Sequence, residues 1–266
     1  FTLTEAAIIS RKLGISLDKM IGVSFQNNAV FDMNIVDSSQ PLETYYSILE
    51  KQVKLFRKVK EEENSEIGTS SNIIPLTLSL NYNMLFKWMY QNQNIKCRHF
   101  EEMEIPQQIV DKQKEYAHAV AHIRSVDYIW DNMIFSHLVN DIQYFCDVPL
   151  VSDEDKNLLK EELLLVVNDL EELAARGKSK TGNDVKIYIS NINFEATYSY
   201  LETDTIQLSL IRIYSINSIT TQDSEMFRGL KEWIQSLKKF STLISESGEM
   251  QRIQFFKQQR EIIDTL

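Results

Sequence analysis

Apolar residues recur at helical spacing through most of the chain. The clearest run begins at Ser152, where a capping residue precedes an acidic first turn and a long apolar stripe, and it ends with Arg176 and Gly177. A helix macrodipole and a left-handed C-cap favour such ends. The same spacing from Pro41 onward predicts a helix of about 25 residues, with an apolar stripe of Leu42, Tyr45, Tyr46, Leu49, Val53, Phe56 and Val59.

Other stretches predict further helices and a small sheet. Helical spacing marks residues 75–91, 104–145 (two or more helices, broken near Ser125), 224–244 and 248–266. Apolar residues alternate instead over 185–194, 196–202 and 206–219, which predicts three strands of an antiparallel meander. The polar residues 64–72 are predicted to form a loop. The expected fold class is therefore mainly α with a small antiparallel β-meander near 185–219, an α+β arrangement.

The opening residues 1–22 carry helix signals of their own. Thr2 and Glu5 have the spacing of a capping box, and an apolar stripe of Ala6, Ile9 and Leu13 follows them. Gly14 comes where a left-handed residue ends such a helix, and Ser16 can cap a second short helix that contains Leu17, Asp18 and Met20. Two helices this short need other elements to pack against.

This order of a capped helix, an "LGIS" corner and "LDKM" resembles the last two helices of the lambda-repressor/Cro-like (XRE-type) helix-turn-helix domain. The resemblance covers residues 1–22, and an ordinary helical hairpin is the alternative for them. In that family the first three helices, including the one that enters the major groove, come earlier in the chain. We therefore expect the base-reading helices to be missing from this chain, with a linker at 23–40 and a helical regulatory and dimerisation region at 41–266.

Composition narrows the classes of protein to which the chain can belong. Its 266 residues are 43% hydrophobic and 25% charged, as in ordinary globular proteins, and the net charge of −10 disfavours nucleic-acid binding by this part. No apolar run is long enough to span a membrane, and no secretory signal is recognised. Cys97 and Cys146 stand isolated, which favours two reduced thiols in a cytoplasmic protein.

Several side-chain groupings are weighed as chemical sites, and none is assigned. His118 and His122 are four apart on a predicted helix, with Glu115 three residues earlier, but no further metal ligand is indicated. Cys97 and His99 are close in sequence, which is weak support for a catalytic pair. Three aspartates are predicted to lie on helices: Asp127, Asp131 and Asp141. A basic run precedes Glu61–Glu63, and it favours a solvated face with local ion pairs over a phosphate-binding patch. The run contains Lys51, Lys54, Arg57, Lys58 and Lys60.

The aromatic residues at 82–90 and 127–135 favour core packing over a ligand pocket. We predict no catalytic residue, no metal ligand, no cofactor and no enzyme activity, and we leave any effector-binding residues unassigned.

The resemblance implies the regulatory and oligomerisation region of a bacterial-type transcriptional regulator. Such a protein is expected to be a homodimer that contacts DNA through the missing N-terminal part, and to respond to an unidentified small molecule or protein. The long helix from Pro41 suits a dimerisation or lever element and a plain bundle member equally. The alternative function is a helical protein–protein interaction module without a DNA role.

Overall fold

The computed structural model describes residues 31–34, 41–71, 84–85, 106–147, 151–213, 217–246 and 248–266. The elements in chain order are β1 (Phe31–Asn34), α1 (Pro41–Val59), β2 (Ser65–Ser71), α2 (Gln107–Val120), β3 (Ser125–Asp131), α3 (Ile134–Asp147), α4 (Asp153–Arg176), β4 (Asp184–Ser190), β5 (Thr197–Thr203), β6 (Gln207–Ile213), β7 (Asn217–Thr221), α5 (Ser224–Phe240), β8 (Thr242–Leu243) and α6 (Glu249–Asp264). The predicted helices of residues 1–22 lie outside the described residues, as does most of the helix predicted over 75–91.

The strands form one mixed sheet with the order β1-β7-β6-β5-β2-β3-β4-β8. Strands β2, β3 and β4 run parallel to one another, and the other neighbouring pairs are antiparallel. Parallel neighbours need crossover connections, and α2 lies between β2 and β3 in the chain while α3 and α4 lie between β3 and β4. The α+β class is therefore correct.

The predicted three-stranded antiparallel meander is wrong. Strand β4 pairs in parallel with β3 and antiparallel with β8, and it has β3 and β2 between itself and β5. Four further strands lie where other structures were predicted: β1 in the linker, β2 in the loop, β3 in the helix near Ser125 and β8 at the end of the helix over 224–244. Asp127 and Asp131 are consequently strand residues. Strand β2 was missed because Ile67 is its only large apolar residue.

The helices follow their sequence signals closely. Ser152 Oγ accepts a hydrogen bond from the Asp155 N–H at 3.1 Å, and Gly177 ends α4 in the left-handed region with φ 61°. Helix α1 begins at Pro41 as predicted but ends at Val59, so its 19 residues are fewer than expected. Helices α5 and α6 lie where two closing helices were predicted. None of the described helices is long and apolar enough to cross a membrane.

The sheet has two faces that differ in what covers them. Face A carries Val126, Tyr128 and Trp130 of β3; helices α1 and α2 pack on one part of it, and α3, α4 and α6 pack on another. Face B carries Asp127 and Ile129, with Ile129 packed in the cluster of α5 side chains that includes Phe227, Ile234 and Leu237. The side chains of neighbouring strands on face A are therefore the ones that meet α1 and α2.

Candidate functional site

Strand register arranges the side chains of face A in three rows that cross four or five strands. The first row is apolar and joins β3, β2, β5 and β6 through Val126, Ile67, Leu201 and Leu208. Phe56 and Val59 of α1 and Ala119 of α2 bury this row. One end of face A is thus an ordinary hydrophobic core.

The next two rows are increasingly polar, which is unusual for a covered sheet face. The second row contains Tyr128, Thr69, Ser199, Leu210 and Thr220, and the third contains Trp130, Ser71, Thr197 and Arg212. Hydroxyl groups pair across β2 and β5 in both rows, with 2.7 Å between Thr69 Oγ1 and Ser199 Oγ and 2.9 Å between Ser71 Oγ and Thr197 Oγ1. These pairs satisfy part of the hydrogen-bonding capacity of each hydroxyl and leave lone pairs over.

A cavity lies between these rows and helices α1 and α2. Water-sized molecules fit into a volume of about 160 Å³ there. Gln52, Leu55 and Phe56 of α1 and Tyr116 and Val120 of α2 face the sheet across this space. A volume of this size resembles that of an engineered apolar cavity of about 150 Å³ that takes up benzene.

Two donor side chains of this cavity have no partner among the described residues. Trp130 is 1% exposed, and its indole N–H makes no hydrogen bond. Arg212 is partly buried; it makes no ion pair within the described part of the chain and is the one charged residue among the described lining residues. Buried donors without partners are costly. The Trp130 Nε1 atom has less than 1 Å² of accessible surface, so the partly exposed Arg212 is the donor that is open to an acceptor.

Tyr128 contributes a neutral phenol to the same wall. Burial raises the pKa of Tyr128 to about 12, and the nearby Tyr116 phenol adds to this shift. The hydroxyl is therefore protonated at neutral pH and can act as a donor. The cavity then offers one permanent cation, neutral donors and an apolar floor.

On face B, by contrast, α5 meets paired polar groups. Lys238 donates to the Asp127 carboxylate, and Lys231 donates to Glu202. The Tyr200 phenol donates to Glu66 and accepts a hydrogen bond from Gln235 at 2.9 Å. Burial, followed by the hydrogen bond to Glu66, raises the pKa of Tyr200 well above its usual value. Lys231, Gln235 and Lys238 of α5 therefore hold the helix against face B.

A smaller polar cluster lies at the carboxyl end of β3. Asp131 is 1% exposed, and its Oδ1 accepts a hydrogen bond from the Met133 N–H at 2.8 Å. Its Oδ2 lies 3.7 Å from His137 Nε2, and neither atom has a hydrogen-bond partner among the described residues. One carboxylate and one imidazole fall short of the convergent set of groups that defines a catalytic site.

The two histidines considered as metal ligands lie next to each other, with His118 in the last turn of α2 and His122 in the turn that follows the helix. The centroids of their rings are 5.0 Å apart and the rings are perpendicular. Burial, with Lys60 and His118 nearby, lowers the pKa of His122. Glu115, the third candidate, instead accepts hydrogen bonds from Arg57 and Lys112 at 3.3 Å and 2.9 Å. No group of three metal-ligating side chains occurs in the described ranges.

The other weighed residues have mixed outcomes. Cys97 and His99 lie outside the described residues, and Cys146 lies on α3. Within the basic run, Lys54 pairs with Glu50 and Arg57 pairs with Glu115, as expected of a solvated face. The aromatics of 127–135 serve both readings, because Tyr128 and Trp130 pack in the core and also line the cavity.

Sequence reasoning missed the cavity residues on β2, β5 and β6. Thr69, Ser71, Thr197, Ser199 and Arg212 lie within segments that give no chemical motif. Their only signal is the repeated hydroxyl in "GTSS" and "TYS", which has a meaning only after the strands are placed side by side. No family model, no curated protein and no solved structure matches the chain. The cavity on face A is therefore the feature from which a function can be inferred.

Proposed function

We propose that the chain is the regulatory and effector-binding region of a DNA-binding transcriptional regulator that acts as a homodimer. The observation that carries this proposal is that α1 forms a wall of the cavity on face A. Helix α1 follows residues 1–40 in the chain, whose first 22 resemble the end of a helix-turn-helix domain. A molecule in the cavity therefore touches the described helix that is nearest in sequence to the DNA-binding part.

Contacts between α1 and α2 give a physical route for this coupling. The rings of Phe56 and Tyr116 meet edge to face with centroids 5.6 Å apart, and Arg57 donates to Glu115 beside them. Phe56 and Tyr116 also line the cavity. A ligand changes the position of α1 only to the extent that it binds one arrangement of the two helices better than another. In a dimer, that shift changes the spacing of two recognition helices.

Recovery of the protein with its DNA from living cells tests this function. Antibodies against the chain are used to immunoprecipitate crosslinked DNA from the source organism, and the DNA is sequenced. We expect enrichment of a few sites with two-fold symmetry, because a symmetric dimer binds a symmetric operator. Light scattering is expected to give twice the 31.1 kDa mass of the chain. DNA recovery at background level everywhere would overturn the transcriptional role.

A protein–protein interaction module is the second candidate, and exposed apolar side chains favour it. Phe240 at the end of α5 is 83% exposed, and Met250 in the first turn of α6 is 81% exposed. Exposed apolar side chains contribute to a binding surface where they form one contiguous patch. Background DNA recovery together with a stable protein partner in the same immunoprecipitate would favour this module.

A further inference from the structure

We propose that the cavity on face A binds a small monocarboxylic acid with an apolar body, of the size of one aromatic ring with a short side chain. As an assignment of the effector, this inference rests on the proposed regulatory function. As an assignment of a binding site, it rests only on the cavity. Three features of the cavity determine the ligand class: its size, its gradient of polarity and the one cation among its described lining residues.

The size of the cavity limits the ligand to a small molecule. A volume of about 160 Å³ is close to that of cavities that hold one benzene ring and well below the 300–1,000 Å³ of pockets that hold drug-sized ligands. Nucleotides and peptides are too large for this space.

The gradient of polarity orients the ligand. Ile67, Leu201 and Leu208 form the apolar end, and Thr197 and Arg212 lie two rows away at the polar end. Successive residues on one face of a strand are about 7 Å apart, so two rows separate the ends by roughly 13 Å along the strand. An amphiphilic molecule with one polar end matches this arrangement, while a sugar, which is polar all round, does not.

The charge at the polar end selects an anion of one charge. Arg212 is the single charged group among the described lining residues, and it makes no ion pair with the described part of the chain. A guanidinium presents a planar fork that matches a carboxylate with two parallel hydrogen bonds. A phosphate dianion would require a second cation, which the described lining does not offer.

Neutral groups complete the polar end. Thr197 lies opposite Arg212 on the neighbouring strand, and its hydroxyl is paired with Ser71 at 2.9 Å. Trp130 lies beside Ser71 in the same row, with its indole N–H unpartnered within the described ranges. A carboxylate next to Arg212 would then have the Thr197 hydroxyl as a second donor, and a ring would occupy the apolar side.

Calorimetric titration of the 266-residue chain tests the proposal with a matched series of ligands. The probe is 3-phenylpropionic acid, and benzoic, phenylacetic and hexanoic acids vary the length and the ring. The control ligands are 3-phenylpropanamide, which removes the charge, and 3-phenylpropylamine, which reverses it. We expect the acid to bind about 30-fold more tightly than the amide, as a charge-assisted hydrogen bond contributes that much, and we expect no binding of the amine.

Two variants locate the site, and a third is their control. Arg212→Met should weaken acid binding about 30-fold and leave amide binding unchanged, because only the charged partner is lost. Thr197→Val should weaken acid binding about 5-fold, as a neutral hydrogen bond is weaker. The matched control is Arg228→Met on α5, where Arg228 is exposed and pairs with Glu225; it should bind the acid like the unaltered chain.

The outcomes separate this proposal from the proposed function. Selective acid binding that Arg212→Met abolishes supports the site even if no DNA is recovered from cells. Equal binding of acid and amide, unchanged binding by Arg212→Met, or failure of all four acids to bind would overturn the site. The DNA experiment does not depend on any of these results.

Discussion

The two faces of the sheet use charged residues in opposite ways. On face B, the charged and phenolic groups under α5 find partners: Lys238 with Asp127, Lys231 with Glu202 and Tyr200 with Glu66. The buried Ser70 and Ser209 hydroxyls of that face make no hydrogen bond within the described ranges. On face A, hydroxyl groups of β2 and β5 pair with each other, while Arg212 and the Trp130 indole find no partner in the described part of the chain. Both faces are covered by helices, so burial alone does not explain the difference.

This difference indicates that charged groups with partners have a structural role and that charged groups without partners are available for binding. A closed network contributes to stability and specifies how α5 docks, and removal of one member leaves another unsatisfied. A charged group without a partner gains no such stabilisation and is available to a ligand. If this distinction holds, substitutions on face B should change stability, and substitutions in the polar rows of face A should chiefly change binding.

Substitution of Asp127 is expected to have the largest effect on stability. If stability did not change, the proposed difference between the two faces would be wrong. Asp127→Ala removes the partner of Lys238, and losing one member of a largely buried ion pair should cost about 3 kcal/mol in the free energy of unfolding. Urea unfolding measures this change. The double variant Asp127→Ala/Lys238→Met should recover most of the loss, and equal instability of the single and double variants would contradict a paired role.

Substitution of Gly68 should have the next largest effect on stability. The cause is a steric contact with Tyr200 and not the loss of an ion pair. A Cβ atom at Gly68 would lie 2.2 Å from Cε1 of Tyr200, so Gly68→Ala should destabilise the fold by about 2 kcal/mol through overpacking. Thermal unfolding is the measurement. Gly229→Ala on α5 is the matched control, because a Cβ atom there meets nothing within 4 Å and should be neutral or stabilising. Similar losses in both variants would show that the Tyr200 contact is not the cause.

The Tyr128 phenol should release its proton at a higher pH than the phenols of exposed tyrosines. Its pKa is raised from 10.0 to about 12, so the unfolded chain releases this proton first as pH rises. The stabilising contribution is present below pH 10 and is lost as pH rises through about 12, amounting to at most about 3 kcal/mol. Ultraviolet titration of tyrosinate should show one fewer late-titrating phenol in Tyr128→Phe, and an unchanged late phase would contradict burial of this phenol.

The hydroxyl rows should give the smallest change in stability. Thr69→Val leaves the Ser199 hydroxyl without its partner and should cost about 1 kcal/mol, whereas Thr69→Val/Ser199→Ala removes both groups and should be nearly neutral. Chemical denaturation of the single and double variants provides the comparison. A double variant that is less stable than the single one would assign these rows to the fold and weaken the distinction between the faces.

Local signals predicted the helices better than the sheet. Ser152 and Gly177 determine the ends of α4 by hydrogen bonds within a few residues, so the sequence pattern was sufficient there. Strand β2 has no comparable signal, because Gly68 is required by the ring of Tyr200, which lies 132 positions later. Strand β3 was read as helix because Ile129 is apolar on face B and interrupts the alternation of Val126, Tyr128 and Trp130.

The candidate site was beyond sequence reasoning for the same reason. Arg212 and Trp130 belong to one row of face A only because β6, β5, β2 and β3 are neighbours in that order. No spacing within any one strand indicates that order. The aromatic segment at 127–135 is predicted to form core in preference to a ligand pocket, and Tyr128 and Trp130 pack in the core and also line the cavity.

The most direct test of the role of Arg212 is urea unfolding of two proteins, the unaltered chain and Arg212→Met. Each is measured with and without saturating 3-phenylpropionic acid. If Arg212 is held for a ligand and not for the fold, the two curves should coincide without the acid. With the acid, the unaltered chain should shift much further to higher urea than Arg212→Met, since a ligand that binds the native state more tightly stabilises it more. A lower midpoint for Arg212→Met without the acid, or equal shifts in both proteins, would contradict the claim.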